Sequence, residues 1–236
     1  MDTLNHGFNQ PILPQTPPET PPPIHLSNKG TFTHKSEWIR KRQAQNVLNA
    51  CNFAHWSGAP LNAYITILLN DTIAQSSTTA FKLIMAKYNP WLAYRRKIGL
   101  VDCPPIYIFT HENPNDNPHV NICFHIPPVI IDEFNLKLPR WIEDVQGEID
   151  CVTLKNQPIK CGEDMYVTKY IIKGIDPDYI DHFGLRRLYK RNGPQGTIYG
   201  QRAGFSRSLG PVAMKKAGFH PMRYYYWRKD SKPIDE

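Results

Sequence analysis

The segment from residue 164 to 173 reads DMYVTKYIIK and holds two overlapping Tyr-x-x-Lys units, Tyr166 with Lys169 and Tyr170 with Lys173. On a helix, side chains four apart share a face, about 6 Å apart at Cβ, so the two tyrosines point together with the lysines beside them. A tyrosine hydroxyl ionises at about 10 and attacks an electrophile only with assistance. A neighbouring ammonium or a metal-polarised phosphodiester supplies that assistance. Two readings stand at this point. Either both tyrosines pack in a core with Val167, Ile171 and Ile172, or those aliphatics fill the buried stripe unaided and the Tyr–Lys side faces a cleft.

A second constellation lies upstream. In HVNICFHIPP, Val120, Ile122 and Phe124 point one way while His119, Asn121, Cys123 and His125 point the other. PPIYIFTHE gives a strand near 105–112, NPNDNP is a turn cluster, and the pair reads as an antiparallel hairpin. His119 and Asn121 then share a face about 7 Å apart, and the hairpin returns Glu112 beside His119. A carboxylate, an imidazole and an amide oxygen suit magnesium or manganese and suit zinc poorly. The polar face of a strand is also an ordinary feature. His125, further along the same face, reads as a supporting or structural histidine rather than a ligand.

Several elements must position these groups. Residues 1–35 form a Pro-rich tail, PQTPPETPPP included, with too little apolar content to fold, so order is expected only from 36 onward. SEWIRKRQAQNVLNACNFAHW predicts a helix with Ser36 as its N-cap. A strand follows near 62–69, then a helical stretch over 73–98 that Pro90 kinks or breaks. One or two short helices are expected over 129–145, with Pro139 able to start the second, then a short strand near 150–154. DMYVTKYIIKG predicts a helix closed by Gly174, and Asp176 caps another short helix with Pro177 at its first position and Gly184 past its end. The Gly-rich stretch KRNGPQGTIYGQRAGFSRSLG reads as loop. The order predicts an α+β fold, a central antiparallel sheet flanked by helices, in one domain over 36–236 with a basic extension from about 183.

The net charge is +7, and its distribution matters more than its size. From His182 to Lys229 there is no Asp or Glu, while the stretch carries Arg186, Arg187, Lys190, Arg191, Arg202, Arg207, Lys215, Lys216, Arg223, Arg228 and Lys229. A one-sign block of this kind points to a polyanionic partner, against the plainer reading of a solvated surface. HPMRYYYWRK interleaves aromatics with cations, which grips single strands by stacking and phosphate pairing, or else forms an aromatic terminal strand on the sheet. Cys51, Cys103, Cys123, Cys151 and Cys161 show no Cys-x-x-Cys pair and fit reduced thiols better than a disulfide framework or a zinc knuckle. No secretory signal or membrane-spanning run is evident, so a cytoplasmic protein with no membrane partner is expected.

These pieces in this order resemble the HUH-type rolling-circle replication initiators. LNAYITILL resembles their first motif and HVNICFHIPP their second. YVTKYIIKG resembles the third, in the two-tyrosine form of the phage gene A class. PQGTIYGQRAGFSRSLG resembles a downstream segment of bacterial proteins of this type, so the likeness runs over roughly 58–212. One departure stands out: Asn121 occupies the second histidine position of the His-hydrophobic-His pair. The resemblance implies a ferredoxin-like or RRM-like core and a nickase and ligase of single-stranded origin DNA in a bacterial host. Magnesium or manganese at Glu112, His119 and Asn121 would polarise the scissile phosphate. Tyr166 and Tyr170, assisted by Lys169 and Lys173, would form and resolve a 5′-phosphotyrosine. No G-x-x-x-x-G-K-[ST] loop is present, so helicase and polymerase would come from the host. Two alternatives stay open: a degenerate copy that binds origin DNA without cutting it, and a related relaxase or transposase.

Overall fold

The structure, a computed structural model, describes residues 34–69, 76–147, 149–150 and 153–222. Its centre is a five-stranded antiparallel sheet. The strands are β2 (Ala63–Leu68), β3 (Tyr107–Glu112), β4 (His119–Phe124), β5 (Leu154–Pro158) and β7 (Ala203–Phe205), in the order β5-β2-β4-β3-β7. A two-stranded ribbon, β1 (Lys35–Ser36) with β6 (Ile198–Tyr199), lies apart from it. The expected α+β class, a central antiparallel sheet with helices packed on it, is what forms.

Alternation sorts the sheet's two faces. Ala63, Ile65, Ile67, Phe109, Val120, Ile122 and Phe124 face α2 (Ser77–Lys97) and α3 (Ile131–Gln146) in one buried cluster. Ile108 and Cys123 face the other way, towards α1 (Lys41–Trp56) and the apolar side of α4 (Asp164–Ile171). Burying both faces by this period-2 pattern fixes the register, because a one-residue slip would turn His119 and Asn121 into the α2–α3 core.

Both internal prolines are carried within continuous helices. Pro90 lies inside α2 and Pro139 inside α3, so neither breaks its helix. Each costs a backbone hydrogen bond, but the helices meet through an aromatic cluster in which Tyr88 packs against Trp91, Tyr107, Phe124, Phe134 and Trp141. Tertiary packing of this kind outweighs local propensity.

Four boundaries differ from expectation. Ser36 does not cap α1: it pairs with Ile198 in the ribbon, and the helix begins at Lys41. The ordered chain therefore already includes Lys35, while residues 1–33 of the expected tail lie outside the described residues. The strand expected near 150–154 runs over Leu154–Pro158. The stretch expected as loop contributes α5 (Arg186–Asn192) and β7, an edge strand of the main sheet. At Pro177 the cap is as expected, the Asp176 carboxylate accepting from the Asp178 N–H at 3.1 Å, but the helix is a single 3₁₀ turn.

The link before α1 fixes the chain after α4. Ile39 N–H donates to the Gly174 carbonyl at 2.9 Å, and Asp176 N–H donates to the Ile39 carbonyl at 3.1 Å. This clamp holds Lys173 and Gly174 at the sheet. Cys51, Cys103, Cys123 and Cys161 are all unpaired, and Cys151 lies outside the described residues. Among the described residues no helix is long and apolar enough to cross a membrane.

Candidate active-site cleft

The β3–β4 hairpin pairs Glu112 directly with His119, as the turn cluster predicts. Asn115 and Asp116 in its turn have φ of 53° and 57°, a conformation Asn and Asp tolerate better than other residues. His119 Nε2 lies 2.9 Å from Glu112 Oε2, and His119 Nδ1 lies 3.1 Å from the Asn117 carbonyl oxygen. Lys173 Nζ donates to both oxygens of Glu112, at 2.5 Å and 2.7 Å. Glu112 is 2% exposed and Lys173 is 4% exposed, so this is a buried ion pair. Burial alone would raise the Glu112 carboxyl. The His119 hydrogen bond and the Lys173 charge outweigh it and hold the carboxyl below its ordinary value.

The two Tyr-x-x-Lys units are not equivalent. Helix α4 ends at Ile171, so Lys173 lies past its end and turns into the sheet instead of continuing the helical face. Gly174 does not adopt the left-handed cap conformation expected of it; a Cβ there would meet Gln195 Cγ at 3.0 Å, so it is the close approach of Gln195 that favours glycine. Lys173 Nζ also sits 4.4 Å from the centre of the Tyr170 ring, which meets Tyr64 edge-on at 6.3 Å. Burial first, then the charge of Glu112, raises the Tyr170 hydroxyl above its ordinary value. Tyr166 is 64% exposed on the cleft wall. Lys169 is partly exposed and does not line the cleft, so the expected pairing of each tyrosine with its own lysine holds only for Tyr170.

Together these groups line a cleft of about 620 Å³ on the polar face of the sheet. Its wall includes Glu112, His119, Asn121, Tyr166, Tyr170 and Lys173. Lys155, Gln157, Arg191 and Gln195 complete it and were not singled out from the sequence as part of a site, save Arg191 as a DNA contact. Tyr64 and Thr66 were missed as well. Their signal was present in AYITIL, whose alternation puts both hydroxyls on the face that Asn121 occupies.

Asn121 is 2% exposed, and its Oδ1 accepts from Tyr64 at 2.8 Å and from Thr66 Oγ1 at 2.9 Å. Its Nδ2 is buried without a partner. Exchanging the amide oxygen and nitrogen keeps both hydroxyl contacts, because hydroxyls donate as well as accept, and turns an oxygen to the unpartnered position. At His119, a proton on Nδ1 serves the Asn117 carbonyl, which leaves the Nε2 lone pair facing a carboxylate oxygen unless a proton or a cation lies between. In kind, the donor set fits a hard divalent ion. At Glu112, however, such an ion meets competition, since Lys173 already holds both oxygens. Among the described residues no group of three or more His, Cys, Asp or Glu could hold a metal, and the set here has only two such residues plus an amide.

Asn121→His tests this set. The larger ring must enter a buried site and cannot accept from two hydroxyls at once. A stability loss of about 1–3 kcal/mol is expected from overpacking, together with tighter manganese binding by calorimetric titration. Unchanged manganese affinity in the folded variant would remove Asn121 from the ligand set.

His125 is not part of the cleft. Its Nδ1 lies 2.8 Å from the Pro60 carbonyl oxygen, beyond the end of β4, so it anchors a loop and does not support His119. His111, on the opposite face from Glu112, is fully buried against Phe81 and Phe109, and burial pushes it down to about 3, so it stays neutral.

The basic residues divide. Arg187, Lys190, Arg191, Arg207, Lys215 and Lys216 are exposed. Arg186 is exposed too but forms a two-point bridge to Asp181, with Nε to Oδ1 at 2.7 Å. Arg202 is a correction: it is 1% exposed and cannot be a surface contact for DNA. Its guanidinium donates to the Ser36 carbonyl at 2.9 Å and to the Gly196 carbonyl, tying the β1–β6 ribbon to the loop before β6. Burial lowers it only to about 10, so it keeps its charge at neutral pH. Arg223, Arg228 and Lys229 lie outside the described residues, as does most of the aromatic segment around them.

The chain matches no protein-family model, and no curated protein is significantly similar to it.

Proposed function

We propose that this protein nicks and rejoins single-stranded DNA at a replication origin through a 5′-phosphotyrosine intermediate. The observation that carries this reading is the convergence of Tyr170, Tyr166, His119, Glu112 and Lys173 on one cleft. Structural tyrosines would not need a buried acid–imidazole pair and an ammonium beside them. Cations at Lys155 and Arg191 on the same wall suit a phosphate backbone.

In this reading one tyrosine oxygen attacks phosphorus, a P–O bond to the enzyme forms, and the P–O bond to the departing 3′-oxygen breaks. The tyrosine proton leaves as the 3′-hydroxyl gains one. The bond energy is conserved in the phosphotyrosine, so rejoining needs no nucleotide. Tyr170 is held near Lys173, which stabilises its phenolate as the proton departs. Tyr166, more exposed and one turn earlier, serves the second transfer. Glu112, His119 and Asn121 would hold magnesium or manganese, which when bound supplies charge neutralisation at the scissile phosphate.

A second reading, origin binding without cleavage, is favoured by one observation: Lys173 occupies both oxygens of Glu112. A nicking assay separates the two. Incubation with origin-bearing single strands and manganese is expected to give a covalent protein–DNA adduct. The adduct is expected to vanish in Tyr166→Phe/Tyr170→Phe. Tight binding with no adduct under either cation favours the binding module.

A further inference from the structure

A second cavity lies outside the cleft, between the N-terminal end of α1, the β1–β6 ribbon and α2. It encloses about 540 Å³, and its wall includes Trp38, Arg40, Arg42, Lys82, Gln201 and Arg202, with no Asp or Glu in the lining. Of these cations only Arg202 belongs to the acid-free stretch of the sequence; the other three come from elsewhere and the fold gathers them.

The start of α1 is built against its own electrostatics. Arg40 is the N-cap residue, its side chain makes no capping bond, and the first turn holds no acid. Lys41 and Arg42 follow at once. The end of a helix that carries positive partial charge and unpaired N–H groups disfavours cations and favours an anion. Three cations at this end of a sixteen-residue helix oppose that preference. Independently, Arg202 forms part of the same wall, fixed in place through Ser36, and its buried Nη1 has no hydrogen-bond partner. A charge held there without an acid beside it within the lining adds to the positive potential.

Trp38 gives the cavity a second kind of chemistry. It is partly buried, with Tyr189 packed at 6.5 Å on one side. An indole at the edge of a cationic cavity pairs a stacking surface with phosphate binding, the combination that holds single-stranded nucleic acid irrespective of sequence.

We infer that this cavity is a second anchoring site for the DNA strand, taking one nucleotide with its phosphate on Arg40, Arg42 and Lys82 and its base on Trp38. It rests on the reading of the protein as a single-strand binder, and extends the footprint of the strand beyond the tyrosine cleft.

The test is anisotropy of a labelled single-stranded DNA oligonucleotide with the full chain, across a salt series. Arg40→Ala/Arg42→Ala/Lys82→Ala changes only exposed side chains. It is expected to weaken binding by at least about tenfold at low salt and to reduce the slope of log affinity against log salt by about 2, at roughly 0.7 per phosphate contact. Trp38→Ala is expected to weaken binding, and Trp38→Phe to restore it. Unchanged affinity and slope in the folded triple variant would overturn the site. So would equal affinity for a mononucleotide, which would make it a free-nucleotide pocket, or preference for RNA of the same sequence. The two proposals fail separately. An adduct with wild-type protein and unchanged affinity in the triple variant refutes the anchoring site alone; weakened affinity with no adduct refutes the nickase alone.

Discussion

Lys173→Met is expected to lower the unfolding free energy by about 3–5 kcal/mol, the usual cost of removing one partner from a buried ion pair. The size follows from the geometry at Glu112. His119 reaches only Oε2, at 2.9 Å, whereas Lys173 reaches Oε1 at 2.5 Å and Oε2 at 2.7 Å. With methionine at 173, Oε1 loses its ammonium inside a site where the carboxylate is 2% exposed. Restoring neutrality should recover most of the loss, so Glu112→Gln/Lys173→Met is expected to be markedly more stable than Lys173→Met alone. Urea denaturation of the wild type, both single variants and the double variant closes the cycle. A single variant within about 1 kcal/mol of wild type would mean that water or His119 alone satisfies Glu112, and the pair would not be the structural keystone its burial implies. The same cycle bears on function: if Lys173 competes with a divalent ion for Glu112, then methionine at 173 raises manganese affinity even as it lowers stability.

This pair shows what sequence could and could not reveal. The hairpin was legible because two strands of alternating character flank a turn cluster, and antiparallel geometry then forces Glu112 opposite His119. The tyrosines were legible as a shared helical face. Lys173 was not, because the three-residue spacing assumes that the helix continues. It stops at Ile171, where the clamp between Ile39 and Gly174 pulls the chain to the sheet, and that clamp joins residues far apart in sequence. Arg202 was misread for a related reason. Composition marks it as one cation in a basic stretch, but burial depends on the Ser36 and Gly196 carbonyls that the fold brings around it. Likewise β7 is only three residues long and its pairing with β3 is non-local, so no periodicity announces it. Local patterns gave the sheet faces and the hairpin; what closes the cleft is set by contacts across the chain.

The loop that closes the cleft gives the second large prediction. Gly193 and Gly196 flank Gln195 and have nearly the same left-handed φ, 62° and 65°. A side chain at either position carries a similar conformational penalty of about 1 kcal/mol. Their surroundings differ completely. A Cβ at Gly193 would meet nothing within 4 Å, but one at Gly196 would lie 1.8 Å from the Asn113 carbonyl oxygen and 2.5 Å from its carbon. Both are backbone atoms of the residue after Glu112, so no rotamer change relieves the clash. The loop must move. Moving it strains the Asn113 N–H bond to the Gln195 carbonyl, 2.9 Å long, and the Arg202 bond to the Gly196 carbonyl. Gly196→Ala is therefore expected to cost at least about 3 kcal/mol, adding lost buried hydrogen bonds to the conformational penalty. Gly193→Ala is expected to cost only about 1 kcal/mol. Chemical denaturation of both variants checks the contrast, and equal losses would place the whole effect in φ and leave the contact at Asn113 without consequence. Because Gln195 lines the cleft and Asn113 follows Glu112, the displacement also reaches the site. Adduct formation by Gly196→Ala, measured at a temperature where the variant remains folded, is expected to fall further than that of Gly193→Ala, since only the former pushes on the strand end that presents the carboxylate.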